Sequence, residues 1–182
     1  MTKKPLHPSV EQWVERLRAA RRAGAPGTPE RLRLHRELAR DSPAFTPNLL
    51  ELARQLQLAD EPGRDAREGL AEVERLLEQA VEGSERSAPA VVELGYFLDA
   101  IRNAAEKATP LYEEGAAKAL ETLEDAWAGL LRAWVHERTK QSLEKALRLG
   151  ELAQKLFPDS GRLLEEVDRA RRMATEDGLL EP

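Results

Sequence analysis

Apolar residues recur along this chain with helical spacing. Val10, Trp13, Val14, Leu17 and Ala20 follow an i, i+3, i+4, i+7 rhythm, and Leu70, Val73, Leu77 and Ala80 repeat it. The stripe returns in Val91, Leu94, Leu98 and Ile101, in Leu143, Leu147, Leu149 and Leu152, and in Leu163, Leu164, Val167 and Ala170. Side chains three and four apart share one helix face, so each stripe needs a neighbour to cover it.

Glycine and proline cut the pattern into segments. Breaks fall at Gly24–Thr28, Asp41–Thr46, Asp60–Arg64, Gly83–Ser87, Ala108–Thr109 and Pro158–Ser160. Thr28-Pro29, Thr46-Pro47 and Thr109-Pro110 read as helix starts, with threonine as cap and proline where no N–H is needed. Ser9-x-x-Gln12 and Asp65-x-x-Glu68 have capping-box spacing. The spacing predicts helices near 9–22, 29–40, 47–59, 65–82, 88–107, 110–138, 142–156 and 160–174, with room for a bend at Gly129. Short links favour antiparallel neighbours. The expected fold is all-α: antiparallel helical hairpins, stacked in series or closed into a bundle.

Composition agrees. Alanine, leucine, arginine and glutamate dominate, and Ile101 is the one isoleucine. Such residues lose little freedom in a helix, whereas strands favour β-branched and aromatic ones. A chain of 182 residues buries a core without staples, and there is no cysteine for a disulfide or a thiolate site. No stretch has the length and apolarity of a membrane span. Lys3 and Lys4 lead into Pro5, His7 and Pro8 rather than an apolar run, so the expected compartment is cytoplasmic.

Net charge is −5, unevenly placed: residues 1–40 carry +6 and residues 41–182 carry −11. This divides the chain into a basic N-terminal helical region, 1–40, and an acidic helical-hairpin domain, 41–182, in one continuous fold. The basic patch comprises Arg16, Arg18, Arg21, Arg22, Arg33 and Arg36. Glu11 and Glu15 early in the first helix, with arginines late, suit the helix dipole, and Arg33 and Glu37 stand at i, i+4. Docking on the acidic body, or contact with nucleic acid or acidic lipid, are the readings of the remainder.

No catalytic set emerges. His7, His35 and His136 lack metal-ligand spacing, and His35, beside Leu34 and Leu38, reads as a residue at the core boundary. Gly24-Ala-Pro-Gly27 is no phosphate loop. The acidic pairs read as solvated faces. The expectation is a non-enzyme with no cofactor and no metal. Gly95, Gly115, Gly129 and Gly150 lie inside helices, where each costs about 1 kcal/mol against alanine, which implies close helix crossings. Trp127 and Trp134, seven apart, read as a core seam or as a partner anchor.

Two stretches resemble tetratricopeptide repeats, the 34-residue helix-turn-helix unit. In Ala88 to Ile101, Leu94-Gly95 matches the family's Leu-Gly, with Val91 and Leu98 at the flanking large positions. Lys107 stands where a small alanine belongs, and Pro110 interrupts. In Trp127 to Pro158, Ala146, Ala153 and Pro158 match the second helix, while Trp134 and Glu137 depart from the first. The resemblance implies a short tetratricopeptide-like solenoid or helical bundle. It also implies a groove lined by first helices, where family members bind peptides. On that register Tyr96, Asp99 and Asn103 form the groove floor, and Arg132 and Arg138 extend it. The expected function is a protein–protein interaction module, an adaptor or scaffold, whose partner is another protein or a second copy. The alternatives are a nucleic-acid accessory protein using the basic region and a structural helical subunit of a larger assembly.

Overall fold

The computed structural model describes residues 8–180. Among them are eight α-helices: α1 (Val10–Arg22), α2 (Pro29–Asp41), α3 (Thr46–Leu58), α4 (Ala66–Gly83), α5 (Ala88–Tyr96), α6 (Ala105–Glu137), α7 (Lys140–Leu156) and α8 (Gly161–Glu176). A single π turn, Phe97–Ile101, extends α5. No strand occurs among the described residues. The fold is all-α, as the periodicity predicts.

Local chemistry sets the helix starts. Ser9 and Gln12 form a reciprocal capping box ahead of α1, and Thr139 and Ser142 form another ahead of α7. Asp65 accepts from the Arg67 N–H at 2.9 Å, and Ser160 from the Leu163 N–H at 3.2 Å. Pro29 and Pro47 open α2 and α3, but the paired threonines do not cap them. Thr28 instead donates its hydroxyl to the Ala25 carbonyl at 2.9 Å, within the tight link before α2.

The third Thr-Pro pair lies elsewhere than expected. α6 begins at Ala105 and runs through Pro110 without a break. Chain reversal falls instead at Arg102–Ala104, where Asn103 takes φ 52°. The π turn accounts for a separate difference, in the repeat register. A π turn holds one more residue than an α turn, so everything after it shifts by one position. Ala108 then replaces Lys107 as the small residue of the second helix, and it is buried. Seven residues on, Gly115 is buried too. This small-small spacing of seven is the one Ala146 and Ala153 share in α7, where both are buried. No bend occurs at Gly129, because α6 is continuous from Ala105 to Glu137.

The chain divides into two compact units, residues 1–116 and 117–182. In the first, helices pack in chain order: α1 on α2, α2 on α3, α3 on α4 and α4 on α5, with α3 also reaching α5. Such nearest-neighbour packing is a stack of helical hairpins. Leu32, Leu49, Leu52, Leu77, Val91 and Phe97 form its core. Gly95 sits under the Tyr112 ring, and Gly115 under Val91 and Val92, so these glycines do mark close crossings of α5 with α6.

His35 lies inside this core rather than at its boundary, with 0% exposure. Beside it runs a buried polar chain. Gln55 accepts from the Gly27 N–H at 2.8 Å and donates to Glu51 at 2.9 Å, and Arg31 closes on Glu51 at 2.9 Å. Burial opposes the Glu51 charge, yet the Arg31 and Gln55 hydrogen bonds outweigh it and hold the carboxyl below its ordinary range.

In the second unit α7 packs on α8. Leu131 of α6, Leu143 of α7, and Leu163 and Val167 of α8 form the core. Trp127 and Trp134 are half-buried against it, and Trp127 meets Phe157 edge-to-face at 5.7 Å. Gly150 admits Val167.

Candidate partner-binding face

α3 is buried almost all round, from Asn48 through Gln55. Its exposed residues are Pro47, Arg54 and Leu58, which share one side at helical spacing. α5 is open along Pro89, Val92 and Tyr96. An ion pair between Arg54 and Glu93 joins the two open strips. One turn beyond Arg54 stands Leu58, 66% exposed, and one turn beyond Glu93 stands Tyr96, 54% exposed. Val92 is exposed as well. Apolar side chains around this ion pair make a surface with an apolar body and a polar register point.

Tyr96 and Asp99 continue this face towards Tyr112. Partial burial pushes the Tyr112 phenol above its ordinary value, and the nearby Asp99 and Tyr96 push it further. Asn103 is exposed in the left-handed conformation at the end of the π turn. Arg132 and Arg138 belong to the second unit, and α8 engages both. Arg132 binds Glu166 at 3.0 Å, and Arg138 binds Glu176 at 3.1 Å and Asp177 at 2.9 Å. Arg54, Leu58, Val92 and Glu93 are absent from the sequence-based set. The Pro47, Arg54, Leu58 spacing was the available signal for α3, but it is masked in a helix that buries polar as well as apolar residues on nearly every side.

All six residues of the basic patch have carboxylate partners. Arg16 pairs with Asp41 at 2.7 Å, Arg18 and Arg22 with Glu15 at 3.7 and 2.9 Å, and Arg21 with Glu51 at 3.3 Å. Arg33 pairs with Glu30 and Glu37 at 2.8 and 2.6 Å. Arg36 spans Glu61 at 2.7 Å and Glu72 at 3.1 Å, while Arg64 bridges the same two carboxylates. The Arg36 hydrogen bonds hold the Glu61 carboxyl down to about 2. The N-terminal arginines therefore tie α1 and α2 to each other and to α3 and α4.

Among the described residues no cluster of three or more histidine or acidic side chains is placed to hold a metal ion. None of the described helices is long and apolar enough to cross a membrane.

Comparison with known proteins agrees with the stack of hairpins. A family model, the Myxococcota tetratricopeptide repeat protein family, matches residues 5–85. These residues span α1 to α4 and lie N-terminal to the two stretches that carry repeat-like motifs. An uncharacterized 18.1 kDa protein in the carS 3′ region of Myxococcus xanthus is 37% identical over 142 residues, covering 78% of this chain and 81% of that protein. No solved structure matches the chain. The chain belongs to the Myxococcota tetratricopeptide repeat protein family.

Proposed function

We propose that this chain is a non-enzymatic adaptor or scaffold that holds a protein partner on the open face of α3 and α5. The observation that carries this reading is the exposure of Leu58, Val92 and Tyr96 around the Arg54–Glu93 pair. Isolated exposed apolar residues are ordinary, but several on neighbouring helices form a patch that gains by being covered. Tyrosine adds area with few rotors, which favours it as an anchor. Asp99 and Asn103 extend the face; Arg132 and Arg138, on the second unit, would be contacts of that unit by itself. Pairing of all six patch arginines supports a protein partner over nucleic acid, since an arginine held by a carboxylate must give up that ion pair to neutralise a phosphate and free the counterions bound there. A cytoplasmic setting goes with this reading, on the cysteine-free composition.

A photo-crosslinking residue at position 96, in the native host, tests it. A discrete crosslinked protein is expected, lost when Leu58→Glu is added. Crosslinks no different from those of the same probe at exposed Arg67 on α4 would refute the α3–α5 face.

A further inference from the structure

A groove of about 680 Å³ lies between α2 and α4, on the far side of α3 from Arg54. Leu52 of α3, with Ala39 and Leu76, gives it an apolar base. Four guanidinium groups line it: Arg33, Arg36 and Arg40 from α2, and Arg75 from α4. Two of these are neutralised within the protein, Arg33 by Glu30 and Glu37, and Arg36 by Glu61 and Glu72. Arg40 and Arg75 are both exposed, and among the described residues neither has a carboxylate partner. Two cations on facing helices thus line one concavity with their donors unused among the described residues.

We infer that this groove is a second binding site, which takes an acidic peptide segment of a partner. Carboxylates of the segment pair with Arg40 and Arg75, and a small apolar side chain between them rests on half-buried Ala39. A guanidinium fork matches a carboxylate in two parallel hydrogen bonds, and such charge-assisted pairs are about twice as strong as neutral ones. A continuous polyanion does not fit. Glu37, Glu61 and Glu72 line the same walls. Arg36 keeps Glu61 ionised, and Arg36 and Arg64 outweigh burial to keep Glu72 ionised. With these three carboxylates paired to Arg33, Arg36 and Arg64, Arg40 and Arg75 are the cations left in the groove, and two separated cations suit separated carboxylates better than an unbroken run of phosphates. The site is independent of the α3–α5 face, because the groove residues come from the opposite side of α3.

The test is fluorescence anisotropy on the whole chain with three probes. They are a labelled peptide in which glutamate and alanine are spaced by serine, the same peptide with glutamine for glutamate, and labelled oligo-dT. The acidic peptide should bind at least about tenfold more tightly than the glutamine peptide, and added salt should weaken it. Arg40→Gln with Arg75→Gln should remove that preference while thermal melting stays unchanged. Tyr96→Ala should leave it intact, so failure of the α3–α5 reading and failure of this one are told apart. If the double variant melts early, each single variant is titrated instead, and each should lose part of the preference. Equal binding of the two peptides, no binding of the acidic one, tighter binding of oligo-dT, or indifference to both arginine substitutions would overturn the proposal.

Discussion

One amide, that of Asn48, holds α3 to His35 of α2 through two hydrogen bonds. Asn48 Nδ2 donates to the His35 carbonyl at 3.0 Å, which leaves its Oδ1 as an acceptor 2.7 Å from His35 Nδ1. His35 Nδ1 must therefore carry the ring proton, and Nε2 is a bare lone pair buried without a donor. A second proton on Nε2 would place a charge in the core with no acceptor.

The first prediction follows from that tautomer. Burial pushes the His35 pKa down, against the Asn48 hydrogen bond and the charge of Glu51, with Arg31 and Arg21 adding to the fall. The unfolded chain then binds the proton more readily than the folded one. Stability is complete above the ordinary histidine value of about 6.5 and falls as pH drops below it, by no more than about 1.4 kcal/mol per pH unit. His35→Gln cannot titrate there. Urea unfolding at several pH values from 7.5 to 5 should show a slope in the wild type that the variant lacks. Equal slopes would mean that His35 is protonated inside the fold.

The helix glycines make the second prediction, because they divide by environment. A Cβ at Gly129 would meet nothing within 4 Å. Gly129→Ala should stabilise by about 0.5–1 kcal/mol, by restricting the unfolded chain. A Cβ at Gly115 would drive into Val92 and come within 3.2 Å of Val91. Valine is stiff at its first torsion and cannot turn aside cheaply. Gly115→Ala should destabilise by about 1–3 kcal/mol despite the gain in helix propensity. Denaturant titration of the two variants gives opposite signs if the α5–α6 crossing is as close as described.

The third prediction concerns the four-residue ring of Arg36, Arg64, Glu61 and Glu72. The Glu61 carboxyl lies at about 2 in the folded protein against an ordinary 4.5. A carboxylate with a lowered folded value contributes stability above its unfolded value and loses it as pH falls towards the folded one. Arg36→Gln should be less stable than wild type at pH 6. The gap should narrow as pH falls from 4.5 towards 2, where Glu61 begins to take up its proton in the wild type as well. A gap that stays constant across that range would show that Arg36 acts by packing alone.

These relationships differ in how far the sequence exposes them. Helix positions were legible because apolar spacing and caps such as Ser9 with Gln12 act within one turn. The start of α6 was not, since Thr109-Pro110 has the composition of a helix start while Pro110 lies inside the helix; nor was the register after the π turn, whose extra residue leaves no mark in composition. The ion partners of the basic region were hidden by distance along the chain: Arg36 finds Glu61 and Glu72 at separations of 25 and 36 residues. Tyr96 and Asp99 were legible as exposed because α5 has a clear apolar stripe. Leu58 was not, because leucine on a helix as fully buried as α3 reads as core until the packing is known.

The last prediction separates two roles for Asn103. At φ 52° it takes a left-handed conformation, and the turn is closed by the Ala104 N–H donating to the Leu98 carbonyl at 2.8 Å. Asparagine and glycine visit that region readily, whereas other residues lose about 1–2 kcal/mol there. A backbone role predicts that Asn103→Gly keeps the urea midpoint of the wild type and that Asn103→Ala loses about 1 kcal/mol. A role in the partner face predicts something else, that the glycine variant folds as well as the wild type yet captures partner poorly. The crosslinking yield from position 96 in the Asn103→Gly background decides between them. Unchanged yield with unchanged stability assigns Asn103 to the turn and removes it from the face. Reduced yield at unchanged stability keeps its side chain among the residues that meet the partner.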